Sequence, residues 1–123
     1  MIEMMVAFLL ISILIAFVFV QMNGATNTGK DAQRKADINL LAGAVASYSA
    51  DHYGSKPISV TACTIGGGTN QCSTSITQSL QTYLTTLPTD PTSGVYYIYQ
   101  SDGSSCTIST TLSSGSTYVY SCN

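Results

Sequence analysis

The apolar positions fall into three regimes along the chain. Met4 to Val20 is apolar apart from Ser12. From Lys30 onward apolar residues recur at three- and four-residue steps (Ile38, Leu41, Val45, Tyr48, His52), which places them on one helical face. The last third alternates polar and apolar residues between turn signals, as strands do. These regimes predict one long helix from about Met1 to Tyr53, ended by Gly54 and roughly 80 Å long. Its first half is apolar all round and its second half amphipathic. Ser55 to Ser73 reads as a loop. Ser75 to Leu87 reads as a short helix with Ile76, Leu80, Tyr83, Leu84 and Leu87 on one face, stopped by Pro88 and Pro91. Asn23, Gly24 and Gly29 mark the expected hinge, because each glycine weakens a helix by about 1 kcal/mol relative to alanine.

The tail predicts an antiparallel meander. Val95 to Gln100 is aromatic and β-branched, and Asp102-Gly103 is a hairpin signal. Cys106 to Leu112 and Ser116 to Cys122 flank Ser113-Ser114-Gly115. A hairpin centred on Ser114 sets Cys106 opposite Cys122, Ile108 opposite Tyr120 and Thr110 opposite Tyr118. One register therefore satisfies both a core face and a disulfide. The remaining cysteines bracket a triple glycine (Cys63-Thr-Ile-Gly-Gly-Gly-Thr-Asn-Gln-Cys72), so the expected bridges are Cys63–Cys72 and Cys106–Cys122. Each adds roughly 2–4 kcal/mol. The fold class is α+β: a long N-terminal helix packed on a small C-terminal antiparallel meander stapled by disulfides. Its organisation is 1–22 as apolar helix half, 23–54 as amphipathic half and 55–123 as globular head.

Charge and chemistry narrow the function. The chain has 123 residues and a net charge of −2, and its basic residues are Lys30, Arg34, Lys35 and Lys56. No basic face for nucleic acid emerges, and no direct nucleic-acid binding is expected. Asp31 and Lys35 have the spacing of an i,i+4 pair, and the charges at 30–37 read as a solvated helix face, with intersubunit contacts as the alternative. No catalytic constellation is present. His52 is the single histidine and falls on the apolar helix face, the serines sit in no nucleophile motif, and no Gly-Lys-Ser/Thr follows the triple glycine. The cysteines lack zinc spacing. Asp90 and Asp102 are few for a calcium site and read as turn residues. The expectation is a protein that is no enzyme and uses no cofactor or metal.

The apolar run is long enough to span hydrocarbon, which takes about 20 residues. A cleaved signal peptide fits poorly, since no basic region precedes the run and Gln21-Met22-Asn23 is a poor cleavage context. The positive charges that follow the run would place the head in the cytoplasm, whereas cysteines spaced as disulfides call for an oxidising compartment. A short basic leader, removed with the apolar segment retained, reconciles the two. Glu3 then stands out. A carboxylate at the edge of hydrocarbon either reaches the headgroups or neutralises a cation inside a helix bundle. With no Lys or Arg nearby, that cation is the α-amino group of a neighbouring copy.

Ile2-Glu3-Met4-Met5-Val6 and the Leu/Ile/Ala/Phe run after it resemble the N-terminal segment of type IV pilins and pseudopilins. The stretch Lys30 to Ile38, Tyr48, Ala50 to Gly54 and Leu87-Pro88-Thr89-Asp90-Pro91 resembles later parts of the same family. The chain departs from the family in having two fewer residues ahead of the glutamate and Val20 where many members carry a proline. The resemblance implies a pilin-like fold, trimming by a prepilin peptidase and a methylated N-terminus. It also implies storage in the cytoplasmic membrane, and assembly by a pilus machine into a surface homopolymer with Glu3 as the assembly residue. Two alternatives follow from the same residues: a pseudopilin of a type II secretion or competence system, and a monomeric membrane-anchored binding module.

Overall fold

The structure is a computed structural model describing residues 1–123. Helix α1 runs from Ile2 to Asp51, followed by strand β1 (Ser59–Ile65), helix α2 (Thr74–Gln81) and strands β2 (Tyr97–Ser101), β3 (Cys106–Thr111) and β4 (Thr117–Cys122). The strands form one antiparallel sheet in the order β1-β2-β3-β4. The second half of α1 and helix α2 cover one face of this sheet, in keeping with the α+β expectation. The core joins Ile38, Leu41 and Val45 of α1 to Ile65, Ile76, Leu80, Tyr97, Tyr99 and Ile108.

Both expected disulfides form, Cys63–Cys72 and Cys106–Cys122. In the β3–β4 hairpin Cys106 faces Cys122, Ile108 faces Tyr120 and Thr110 faces Tyr118. Ser113, Ser114 and Gly115 turn the chain, closed by the Leu112 amide donating to Ser116 O at 2.8 Å. Helix α1 ends where Tyr53 (φ 54°) and Gly54 (φ 87°) turn left-handed, and the Gly54 amide donates back to Ser49 O at 2.7 Å.

Three expectations are corrected. The loop expected over Ser55–Ser73 contains β1. The period-2 pattern is obscured there by a bulge between Ser59 and Cys63, which turns Val60 outward and leaves only Cys63 and Ile65 on the buried face. The short helix stops at Gln81 instead of continuing to Leu87. Threonines at 82, 85 and 86 weaken helical continuation, while Tyr83, Leu84 and Leu87 still pack against the core. The hinge expected at Asn23, Gly24 and Gly29 shows no break: α1 is helical throughout, with Thr26 and Thr28 hydroxyls donating to the carbonyls of Met22 and Gly24 at 2.8 and 3.0 Å. The low propensity of that stretch is outweighed by the regular helix on either side.

The triple glycine is required by contact as well as by conformation. A Cβ on Gly67 would lie 2.8 Å from Tyr96 Cε1, and one on Gly68 2.9 Å from Thr64 Oγ1, with φ values of 148° and 96°. The loop therefore forms a flat seat for the Tyr96 ring beside the Cys63–Cys72 bridge.

Candidate assembly site

Residues 1–29 are exposed throughout, and none of them belongs to the core. The sequence explains this: through Met22 the apolar surface runs all round the helix, and 23–29 are mostly polar or glycine, so neither part offers a single apolar face to bury against a sheet. The segment includes Phe8 at 70% exposure and Phe17 at 70%. Isolated surface apolar residues need no explanation, but a contiguous apolar rod of this length needs lipid or another protein around it. Helix α1 is long and apolar enough to cross a membrane.

Glu3 lies in the first turn of α1 and is exposed, with no hydrogen bond or ion pair inside the subunit. The positive end of the helix macrodipole favours a carboxylate there. Asn23, Gly24 and Gly29 lie within the bare segment, and all four cysteines lie in the head. His52 does not pack in the core as the periodicity suggested. It is exposed, its ring stacks on Tyr48 at 3.8 Å, and Nδ1 lies 2.9 Å from Tyr48 O.

The bare segment meets the head at an ion-pair network that the sequence reading missed. Arg34 is only 3% exposed. Its Nε and Nη2 donate to the two carboxylate oxygens of Asp90 at 2.7 and 2.9 Å, a bidentate fork. Nη2 also donates to Thr92 Oγ1 at 3.0 Å, and Nη1 donates to Asp31 Oδ1 at 2.7 Å and Ser113 Oγ at 3.1 Å. Asp31 in turn accepts from the Ser113 amide and hydroxyl, each at 2.9 Å. One guanidinium thus ties α1 to the loop before β2 and to the β3–β4 turn.

This arrangement corrects two expectations. Asp31 pairs with Arg34 at i,i+3, not with Lys35, whose ammonium lies 5.6 Å from the centre of the Tyr118 ring. The charges at 30–37 are also not all solvated, although Lys35 is exposed. Besides Arg34, Asp37 accepts from the buried Tyr97 hydroxyl at 2.6 Å. The signal was present in the spacing: Arg34 lies on the face of Ile38, Leu41 and Val45, where an unpaired charge is not tolerated. Asp90 is held by Arg34, and Asp102 accepts from the Ser104 and Ser105 amides at 2.8 Å each, the turn role expected of it. A second tether forms at the far end of α1, where the Tyr83 hydroxyl donates to Asp51 at 2.6 Å.

Electrostatics follow the geometry. The Ser113 amide, its hydroxyl and Arg34 hold the Asp31 carboxyl below its usual 3.8. Burial pushes Asp90 up, but the Arg34 fork, the Thr92 amide and the guanidinium charge together outweigh it and leave Asp90 below 3.8. The Ser105 and Ser104 amides lower Asp102. The unfolded chain therefore binds more protons than the folded one as pH falls toward these values. The resulting stability is complete above about pH 5 and is lost progressively below about pH 4. The urea midpoint of the head at pH 3 should lie clearly below that at pH 7, and equal midpoints would show that these carboxylates are not held as described. On the alkaline side, burial and then Asp37 raise the Tyr97 phenol far above its usual value. Stability should therefore also fall once the unfolded phenol ionises, above about pH 10.

The structure defines an α+β protein whose disulfide-stapled head is carried on a helix long and apolar enough to cross a membrane. The chain matches no protein-family model, no curated protein and no solved structure.

Proposed function

We propose that this chain is the structural subunit of a type IV pilus-like surface filament, polymerising through the first half of α1. The observation that carries the reading is the bare segment 1–29, roughly 44 Å long, whose first 22 residues form an apolar rod with a single carboxylate near its tip. It sits on a head whose own core is closed by helix, sheet and two disulfides.

Before assembly, lipid of the cytoplasmic membrane surrounds the rod. A prepilin peptidase trims the precursor, and an assembly machine then lifts subunits so that the rod exchanges lipid for the rods of its neighbours. Both environments are apolar, so little hydrophobic free energy changes on extraction, and extension and retraction are both permitted. Glu3 sets register, because a carboxylate enters such a bundle only where a cation meets it. The Arg34 network holds the head at a fixed position on the rod, which a helical lattice requires. The role is structural, not catalytic.

The test is electron microscopy of filaments sheared from cells, with mass spectrometry of their main protein. Long surface fibres composed mainly of this chain support the reading. Its recovery from the membrane fraction alone, with no fibres, would replace it by a membrane-anchored binding module or a short pseudopilin fibre.

A further inference from the structure

The open sheet has two edge strands, β1 and β4. Proteins guard such edges with bulges, charges, prolines or covering loops, because bare amides and carbonyls accept a further strand. β1 is guarded. A bulge breaks it between Ser59 and Cys63, and the loop that follows folds back on its edge. There the Thr64 amide donates to Asn70 O at 2.8 Å, and Thr64 O accepts from the Cys72 amide at 3.0 Å. β4 has neither device. It pairs with β3 at six successive positions without a shift, and no charged side chain or proline occurs from Gly103 to Asn123.

The hairpin fixes which backbone groups are free. Ser116 O accepts from the Leu112 amide and so points to β3. Backbone groups alternate sides along an antiparallel strand, so those of Thr117, Val119 and Ser121 point away from β3. No loop of the head bonds to them. Their side chains are exposed, Val119 at 56%. Beside Tyr120 and Ser121, the helix side of the groove carries the small residues Ala42, Ala46 and Ser49, which leave space along the strand.

We propose that β4 docks on β4 of a second copy, antiparallel and centred on Val119, and that this contact joins filaments side by side. A second copy brings the same guarded β1 and the same open β4, so β4 meets β4. The strand is also complementary to itself. In this register Val119 faces Val119 of the second copy, Thr117 faces Ser121, and Tyr118 faces Tyr120. Apolar meets apolar, hydroxyl meets hydroxyl, ring meets ring, and no charge is placed in the contact. The two-fold axis relating the copies reverses α1, so their rods run in opposite directions. Copies within one polar filament all run the same way, so the contact forms between two filaments lying antiparallel. Each contact is small, and many in series along two filaments hold them firmly. The joining of filaments rests on the polymerisation reading above, whereas the β4 pairing does not.

The test compares Val119→Cys with Thr117→Cys in the full-length chain under a mild oxidant, both as detergent-solubilised subunit and as sheared filaments. Directly opposed residues in this pairing have Cα atoms about 5.5 Å apart, within disulfide reach, whereas Thr117 and its own counterpart are offset by roughly 13 Å along the strands. Val119→Cys should therefore give at least about fivefold more covalent dimer than Thr117→Cys in both samples. The double variant Thr117→Cys/Ser121→Cys should cross-link as Val119→Cys does. Val119→Lys sets two ammonium groups opposite each other and should turn paired filaments into single ones at unchanged membrane level of the subunit. Equal dimer from the two single variants, or none from Val119→Cys, would overturn the pairing. Cross-links to a different protein in place of dimers would also overturn it and make that protein's strand the occupant. Dimers in detergent but none in filaments would overturn the joining of filaments. Dimers in detergent from cells that make no fibres would uphold the pairing and overturn the polymerisation reading.

Discussion

Replacing Arg34 with alanine should free the loop before β2 and the β3–β4 turn from α1 and remove roughly 3–5 kcal/mol of stability, the usual cost of leaving a buried charge unpaired. The side chain of Asp90 is fully buried and its two oxygens are both held by Arg34. With the guanidinium gone, that carboxylate must either protonate or drag its loop to water. Thr92 and Ser113 lose a donor in the same step. Domains of this size are stable by only about 5–15 kcal/mol, so the loss is a large fraction of the whole. Lysine would not rescue the site, because one ammonium cannot reproduce a bidentate fork. The double variant Arg34→Met/Asp90→Asn should be more stable than Arg34→Ala, since it removes the unpaired charge while asparagine can still accept from the Thr92 amide, as Asp90 does at 2.7 Å. Urea unfolding of the detergent-solubilised protein measures both. A midpoint for Arg34→Ala indistinguishable from the wild type would mean that the network positions the head without stabilising it.

Glu3→Ala should have the opposite profile, with unchanged head stability, unchanged or easier membrane insertion, and filament yield reduced by more than about tenfold. Glu3 has no partner inside the subunit, so the fold loses nothing. Removing a carboxylate from the edge of hydrocarbon lowers the cost of insertion. What is lost is the one charge on the rod that distinguishes a correctly registered neighbour from a helix slid along it, since apolar surface alone packs at many offsets. Quantifying sheared fibres and membrane-bound subunit from the same cells separates the two effects. Normal filaments from Glu3→Ala would show that shape and the heads set register without the charge.

How far the sequence carried these conclusions depended on whether the relevant signal was local. The helix periodicity at Ile38, Leu41 and Val45, the turn at Ser113-Ser114-Gly115 and the Cys106–Cys122 register are all set by residues near in sequence, and all appear as expected. Strand β1 was hidden because its pairing with β2 joins residues such as Cys63 and Tyr99, and a bulge breaks its alternation. The Arg34 network was hidden for the same reason. Asp90 and Ser113 lie 56 and 79 positions away, so only the fold brings them to the guanidinium. A charge on the buried face of an amphipathic helix was legible, but its partners were not. The hinge glycines illustrate the reverse case, a local preference that the continuous helix overrides.

The most direct test of the central claim is a reconstruction of the sheared filament by cryo-electron microscopy at a resolution that separates helices. The account predicts a core built from residues 1–29 of several copies packed side by side, with the heads outside and no lipid between the rods. A fibre held together by contacts between heads, with the apolar segments absent from its core, would contradict it.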